Sequence, residues 1–490
     1  MSACVQKSTT RKFACVVALL AGVVIAMVSA VPAGATTSAR QVPAGAGKGA
    51  VPPLSSHGRW FTDAAGRTVQ LRGVNEVYKH APYYPAADGF GSDDAALLAD
   101  NGFNVVRLGI DFRGLLPAPG AVQQDYIDQL ATTVDELSDK GIYVLLDFHQ
   151  DGFSPKYNGN GFPDWWAIDD GADNPDVEFP LYYVLNPAMQ RAWDHFWMNS
   201  EVSGKGIQDW FIDGLTAVVK RFRSDEHVIG YEAFNEPWPG TDFVSCFSPE
   251  AGCPDLEQSL MVPFAEKVVA ATRKLTKRQP VFIEPFVQFN FGTPTTLPGS
   301  TGAWLSAHDY ASSREGDATV VKQAADAATR DGKPVMLTEF GATNDGDQLN
   351  YLTGLYDQSL MPWIFWAYNE NVVTDGTVPA TTEVANQTVL RALTRPYPVA
   401  IAGRPTQFSF DRASKVMSLQ YKTRRPGGGK YPTKLPSVVA VQRLTYPEGY
   451  TVKVKGAKVA SKPCAQRLKL RKRGKAKSVS VTVTPGGACS

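Results

Sequence analysis

The 490-residue sequence predicts an α/β chain: a (β/α)8 TIM barrel over residues 58–395, followed by a small C-terminal antiparallel β-sandwich over residues 396–490. Three observations carry that expectation. Short apolar runs alternate with amphipathic helical stretches from Gly58 to about Arg395, the order that builds a parallel sheet wrapped in helices. After Arg395-Pro396-Tyr397-Pro398 the texture changes to short period-two stretches separated by Gly and Pro clusters, such as Pro426-Gly427-Gly428-Gly429. That pattern reads as antiparallel β structure. The charge divides at the same place. The formal net charge is +1, yet residues 401–490 hold 20 Lys and Arg against two acids, Asp411 and Glu448. That segment stands at +18 and the remainder at −17, which points to two modules with different partners.

At the N-terminus, Lys7, Arg11 and Lys12 precede an apolar stretch at residues 13–28, and Ala33-Gly34-Ala35 follows as a cleavage site. Charged, apolar and small residues in that order predict a secretory signal peptide over residues 1–35 and a secreted protein. An uncleaved, membrane-associated anchor is the competing reading, because the apolar run is near the lower limit for a span. Residues 36–57, rich in Ala, Gly, Pro and Ser, read as a flexible leader. Cleavage removes Cys4 and Cys15 and leaves Cys246, Cys253, Cys464 and Cys489. An even count in an exported chain favours disulfides. Of the three connectivities, Cys246–Cys253 with Cys464–Cys489 keeps each bridge within one module. Neither pair has zinc-site spacing, so no metal is expected.

Along the barrel segment the elements read in order. Arg72-Gly73-Val74-Asn75 ends one strand and residues 104–110 form the next. Tyr126, Leu130, Val134 and Leu137 fall on one helical face, Gly141 stops that helix, and residues 142–149 are a buried-type strand. A helix bearing Trp210, Phe211, Leu215, Val218, Val219 and Phe222 leads into a strand at residues 227–234. Then come a helix at 264–275, strands at 281–284 and 303–308, a helix at 319–330, a strand at 334–339, and Trp363-Ile364-Phe365-Trp366. No Gly-rich nucleotide fingerprint opens any helix, so no cofactor of that kind is expected. In the C-terminal module residues 417–421, 452–454 and 479–483 alternate with period two.

The chemistry lies at strand ends. Asn235-Glu236-Pro237 closes one strand, and Glu339 closes another about a hundred residues later. Two carboxyls at the C-terminal ends of barrel strands are what glycoside hydrolysis needs: Glu236 as acid/base and Glu339 as nucleophile. Arg107, His149, His308, Tyr310 and Trp366 end other strands. Arg107, His308 or Tyr310 would hold Glu339 ionised, Asn235 would bond a sugar 2-hydroxyl, and Trp366 would give the ring a platform.

This set resembles glycoside hydrolase family 5 in its order of Arg107, His149, Asn235-Glu236, His308-x-Tyr310, Glu339 and Trp366, across residues 58–395. Further stretches resemble the family's endoglycoceramidases: Asp147-Phe148-His149-Gln150-Asp151-Gly152, the segment from Gly73 to Lys79, and the loop from Asn158 to Trp166. The resemblance implies retaining cleavage between oligosaccharide and ceramide, without a cofactor. It also implies that Lys79, His149 and Asp151 bind the first sugar. The alternatives are a secreted β-1,4-glucanase of the same family and a non-catalytic glycolipid-binding protein.

A lipid substrate gives two other features a reading. Residues 153–183 are rich in aromatics, and Phe153, Phe162, Trp165 and Trp166 are the candidates for an apolar path for the lipid. Packing of the loop against the barrel is the alternative. The basic module would be drawn to anionic membrane surfaces, making membrane contact peripheral and transient. Nucleic acid is the rival partner, not expected for an exported glycosidase, and the chain is expected to act as a monomer.

Overall fold

The computed structural model describes residues 53–432, 434–487 and 489. The expected signal peptide with Cys4 and Cys15, and residues 36–52 of the expected leader, lie outside the described residues. Eight strands close into a barrel: β1 (Arg72–Glu76), β2 (Val105–Ile110), β3 (Tyr143–Phe148), β4 (Val228–Glu232), β5 (Val281–Ile283), β6 (Trp304–Asp309), β7 (Met336–Phe340) and β8 (Trp363–Phe365). Each pairs in parallel with the next, and β8 returns to β1 through Trp363↔Arg72 and Phe365↔Val74. The strands β2 and β3 are buried along their whole length, because one face fills the barrel while the other meets the helices.

The helices follow the apolar periodicity. Gln124–Asp139 buries Tyr126, Leu130, Val134 and Leu137. Ile207–Phe222 buries Phe211, Leu215, Val218, Val219 and Phe222, while Trp210 is only partly buried. Arg314–Arg330 begins a turn before the expected start at residue 319. The Ser313 hydroxyl accepts from the Gly316 amide at 3.1 Å, and this cap nucleates a first turn whose polar residues show no apolar period.

Within the barrel the side chains form layers. Val105, Leu145, Phe282, Met336 and Ile364 belong to one apolar cluster. Two residues on, Arg107, Asp147, Glu284, Thr338 and Trp366 occupy the same face of their segments. A strand advances about 3.3 Å per residue, so this polar layer stands about 7 Å above the apolar floor.

Residues 55–69 and the segment from residue 397 onward together build the second module. Ser55–His57, Trp60–Thr62 and Thr68–Val69 join Tyr397–Ile401, Ser437–Ala440, Arg467–Lys472 and Ala457–Val459 in a seven-stranded sheet. The end of the expected leader is therefore a β-strand: Ser55 pairs with Thr62 and His57 with Trp60. Leu54, Phe61 and Val69 from this segment help to fill the floor cluster of the barrel. A four-stranded antiparallel sheet of Arg404–Asp411, Val416–Lys422, Ser478–Pro485 and Tyr450–Lys455 completes the sandwich. Phe408, Met417, Leu419, Val439, Leu468, Leu470, Val481 and Val483 share its core. Both expected disulfides, Cys246–Cys253 and Cys464–Cys489, are formed.

The modules are joined by a buried ion cluster. Arg72 pairs with Asp357, which also meets Arg395 Nη2 at 3.0 Å. The Arg72 guanidinium lies 4.4 Å from the Tyr397 ring centroid and 5.3 Å from that of Phe408. Burial lowers Arg72 to about 10 despite the pull of Asp357, and burial likewise raises Asp357. Both shifts show that desolvation is costly here. Asp357→Asn leaves two buried guanidiniums facing each other without a counter-charge, so chemical denaturation should show a loss of ~3–5 kcal/mol.

Candidate active site

The site is organised around Arg107 on β2, which is fully buried. Its Nη1 donates to Glu339 Oε1 at 2.5 Å and to Asn75 Oδ1 at 3.0 Å. Its Nη2 donates to Asn235 Oδ1 at 2.9 Å and Glu284 Oε1 at 3.0 Å, and lies 3.1 Å from Asp147 Oδ1. Its Nε donates to Glu232. One planar cation thus hydrogen-bonds to groups from β1, β4 and β7 and from the ends of β4 and β5, and pairs by charge with Asp147 on β3. A guanidinium supplies five donors in a fixed fork, which an ammonium does not.

Glu339 is held on both oxygens. Besides Arg107, Tyr310 Oη donates to its Oε2 at 3.0 Å and His308 Nδ1 lies 3.4 Å away. Burial raises Glu339 above the usual carboxylate range, while His308 and Arg107 pull it back down. Burial and the nearby Glu339 charge push Tyr310 well up, so it stays a neutral donor.

Glu236 faces this group. Its Oε1 is 2.9 Å from His308 Nδ1 and accepts from Asn290 Nδ2 at 2.7 Å. One carboxylate oxygen of Glu236 and one of Glu339 lie within 4.8 Å of each other. Glu236 takes a left-handed backbone, φ 44°, a conformation that non-glycine residues adopt only when neighbours enforce it. Here Gln150 Nε2 donates to the carbonyls of Asn235 at 2.7 Å and Glu236 at 3.1 Å. The Glu236 amide donates to Glu284 Oε2 at 3.0 Å.

His308 bridges the carboxyls, with its Nε2 3.0 Å from Glu284 Oε1. Burial would lower its pKa, but Glu284 and Glu339 outweigh that and raise it well above the ordinary value. Glu284 is raised by burial, opposed by His308. Glu236, His308 and Glu339 also place three potential ligand atoms within 4.8 Å of one another. Glu236 Oε1, His308 Nδ1 and both Glu339 oxygens already have neighbours among themselves, Asn290, Tyr310 and Arg107, and Arg107 already supplies a positive charge, so the set fits proton transfer better than metal binding.

At the rim, Lys79 Nζ donates to Asp151 Oδ2 at 2.7 Å and sits 4.5 Å from the Trp366 ring centroid. His149 stacks on Trp366 with centroids 5.2 Å apart, and its Nδ1 is 2.8 Å from Asp147 Oδ2. Burial opposes charge on His149, but Asp151 and Asp147 raise it to about 9. Burial would raise Asp151, yet Lys79 and His149 hold it well below the usual range.

Residues 62–372 match the Cellulase family, described as glycosyl hydrolase family 5, and residues 395–484 match the glycoside hydrolase family 5 C-terminal domain. The chain belongs to glycoside hydrolase family 5. Endoglycoceramidase I of Rhodococcus hoagii (strain 103S) is 35% identical over 442 residues, covering 84% of this chain and 84% of that protein. Endoglycoceramidase of Hydra vulgaris is 28% identical over 437 residues, covering 80% and 81%. Endo-glycoceramidase II from Rhodococcus sp. superposes with TM-score 0.71 at 25% identity, covering 88% of this chain and 100% of that one. A structure of its lactosyl-enzyme intermediate superposes with TM-score 0.70.

Every polar site residue expected of this family 5 hydrolase from its sequence meets in one place: Lys79, Arg107, His149, Asp151, Asn235, Glu236, His308, Tyr310, Glu339 and Trp366. Asp147, Glu232, Glu284, Asn75, Gln150 and Asn290 were not among them. Three of these carry a legible signal, a carboxylate late in an otherwise apolar buried strand: Asp147, Glu232 and Glu284. Period-two alternation places Asp147 on the face of His149.

The expected lipid path does not form from its candidate rings. Phe153, Phe162 and Trp166 have no accessible surface, and Trp165 is half-buried against Trp166 and Trp210. Phe162 meets Phe153, Trp166, Phe196 and Phe234, all with centroids 5.1–6.2 Å away. Rings covered on all sides add area to the core and cannot line an open trough.

Two measurements follow from this geometry. Phe162→Ala should cost ~3–5 kcal/mol in denaturation. His149 is raised from its ordinary 6.5 to about 9, so its charge stabilises the fold fully below about 6.5 and is lost as pH rises through about 9. Stability measured across that window should fall for the native chain and stay flatter for His149→Gln.

Proposed function

We propose that this family 5 hydrolase is a secreted, retaining endoglycoceramidase. It cleaves the β-glycosidic bond between oligosaccharide and ceramide in glycosphingolipids. The close approach of Glu236 and Glu339 carries the mechanistic part: carboxyl groups of retaining enzymes stand about 5–5.5 Å apart, those of inverting enzymes about 6.5–9.5 Å. The 35% identity to an endoglycoceramidase over most of both chains supports the substrate class.

Glu339, aimed by Arg107 and Tyr310, attacks the anomeric carbon, and Glu236 protonates the departing ceramide oxygen. Forming the glycosyl ester removes the Glu339 charge. The Glu236 carboxylate then takes a proton from water, which opens the ester and leaves the sugar with its original configuration. Asn235, anchored through Arg107, stands where a sugar 2-hydroxyl would pass. Lys79, Asp151, His149 and Trp366 bound the space for the first sugar.

Incubation with gangliosides should release intact oligosaccharide and free ceramide, with the initial product anomer retained. An inverted anomer overturns the mechanism, and cleavage of cello-oligosaccharides in place of glycolipid assigns the chain to the glucanases. Glu339→Ser should abolish turnover. Glu236→Ala should lower ganglioside turnover by ~10²–10⁴-fold. It should spare only the first step with an aryl glycoside whose leaving group needs no proton, seen as a rapid burst of that leaving group followed by slow opening of the ester.

A further inference from the structure

The C-terminal module gathers unpaired cations at one end. The turn after Arg467–Lys472 exposes Arg473, Lys475 and Lys477. The Arg473 amide donates to the Gly456 carbonyl at 2.9 Å, which brings Lys455 alongside. The Thr423 amide donates to the Lys477 carbonyl at 3.0 Å and its hydroxyl to Ala476 at 2.8 Å, which brings Lys422 and Arg424. All six cationic side chains are exposed, and among the described residues none forms a salt bridge. Asp63, which lies toward Arg425, is taken up by Arg67, and the two acids of residues 401–490 are elsewhere. Asp411 is engaged by Ser414. Glu448 adjoins Gly449, beside the Cys464–Cys489 bridge at the other end. Exposed Lys458 and Arg471 even face each other in register, a like-charge pairing that weakens a sheet.

We propose that this end of the sandwich is a docking surface for the anionic face of a lipid bilayer. Three separate segments converge to present like charges that repel one another and that, among the described residues, no acid meets in an ion pair. An extended anionic surface relieves them all at once. Single-stranded nucleic acid is the other polyanion to consider, but its binding grooves interleave cations with stacking aromatics. The segments at 422–424, 455–456 and 473–477 carry no aromatic residue. The choice of a bilayer rests on the glycosphingolipid reading, since that substrate resides in membranes.

The test uses the full chain and vesicles without glycolipid, so its outcome does not depend on hydrolysis. The chain should sediment with phosphatidylcholine vesicles containing phosphatidylserine and not with phosphatidylcholine alone, and added salt should release it. Arg473→Ser with Lys475→Ser and Lys477→Ser should weaken this adsorption at least about tenfold. Arg443→Ser with Lys462→Ser and Arg467→Ser, which removes equal charge at the other end, should weaken it much less. Both variants should keep full hydrolysis of a soluble aryl glycoside. Equal loss in the two variants, indifference to phosphatidylserine, or tighter binding to single-stranded DNA than to the vesicles overturns the proposal. Vesicle binding without ganglioside cleavage would instead overturn the substrate reading alone.

Discussion

The buried guanidinium of Arg107 is the constraint from which the rest of the site follows. It stands among Asp147, Glu232, Glu284 and Glu339, with Asn75 and Asn235 completing its shell. One positive charge cannot balance four carboxylates in a dry interior. Burial raises Glu284, and His308, held above its ordinary pKa by Glu284 and Glu339, supplies a second positive charge beside Arg107. Removing so many charges from water is destabilising. The apolar floor of the barrel and the aromatic layer outside it offset that cost.

That aromatic layer has a second consequence. Phe234, immediately before Asn235 and Glu236, meets Phe162, Trp193, Phe196, Phe211 and Phe264, with centroids 5.0–6.2 Å apart. The long connection after β3 therefore reaches over and clamps the strand end that carries Glu236. Clamping of this kind is what a left-handed glutamate requires, since nothing local would hold Glu236 there. The loop acts through packing, by fixing where one carboxyl points.

The second module is bound to the first in two ways. The N-terminal strands contribute Phe61 and Val69 to the barrel floor while pairing into the seven-stranded sheet. The Arg72–Asp357–Arg395 cluster ties the same floor to Tyr397 and Phe408.

Local pattern was enough to read the eight strands, the main helices, the change of module near residue 396 and the residues at the strand ends. Those features depend on periodicity and on what stands beside what along the chain. Glu236, Glu339 and their rim partners were legible because strand ends in a closed barrel all open on one side. Local pattern could not say that Phe153, Phe162 and Trp166 turn inward, because an aromatic ring is equally suited to a core and to a lipid slot until its neighbours are known. Nor could it say that residues 55–69 leave the barrel to pair with Tyr397–Ile401, since strand partners so distant in sequence are chosen by tertiary packing. The Arg107 hub belongs to the same class: its acceptors span residues 75 to 339, and only barrel closure brings them around one guanidinium.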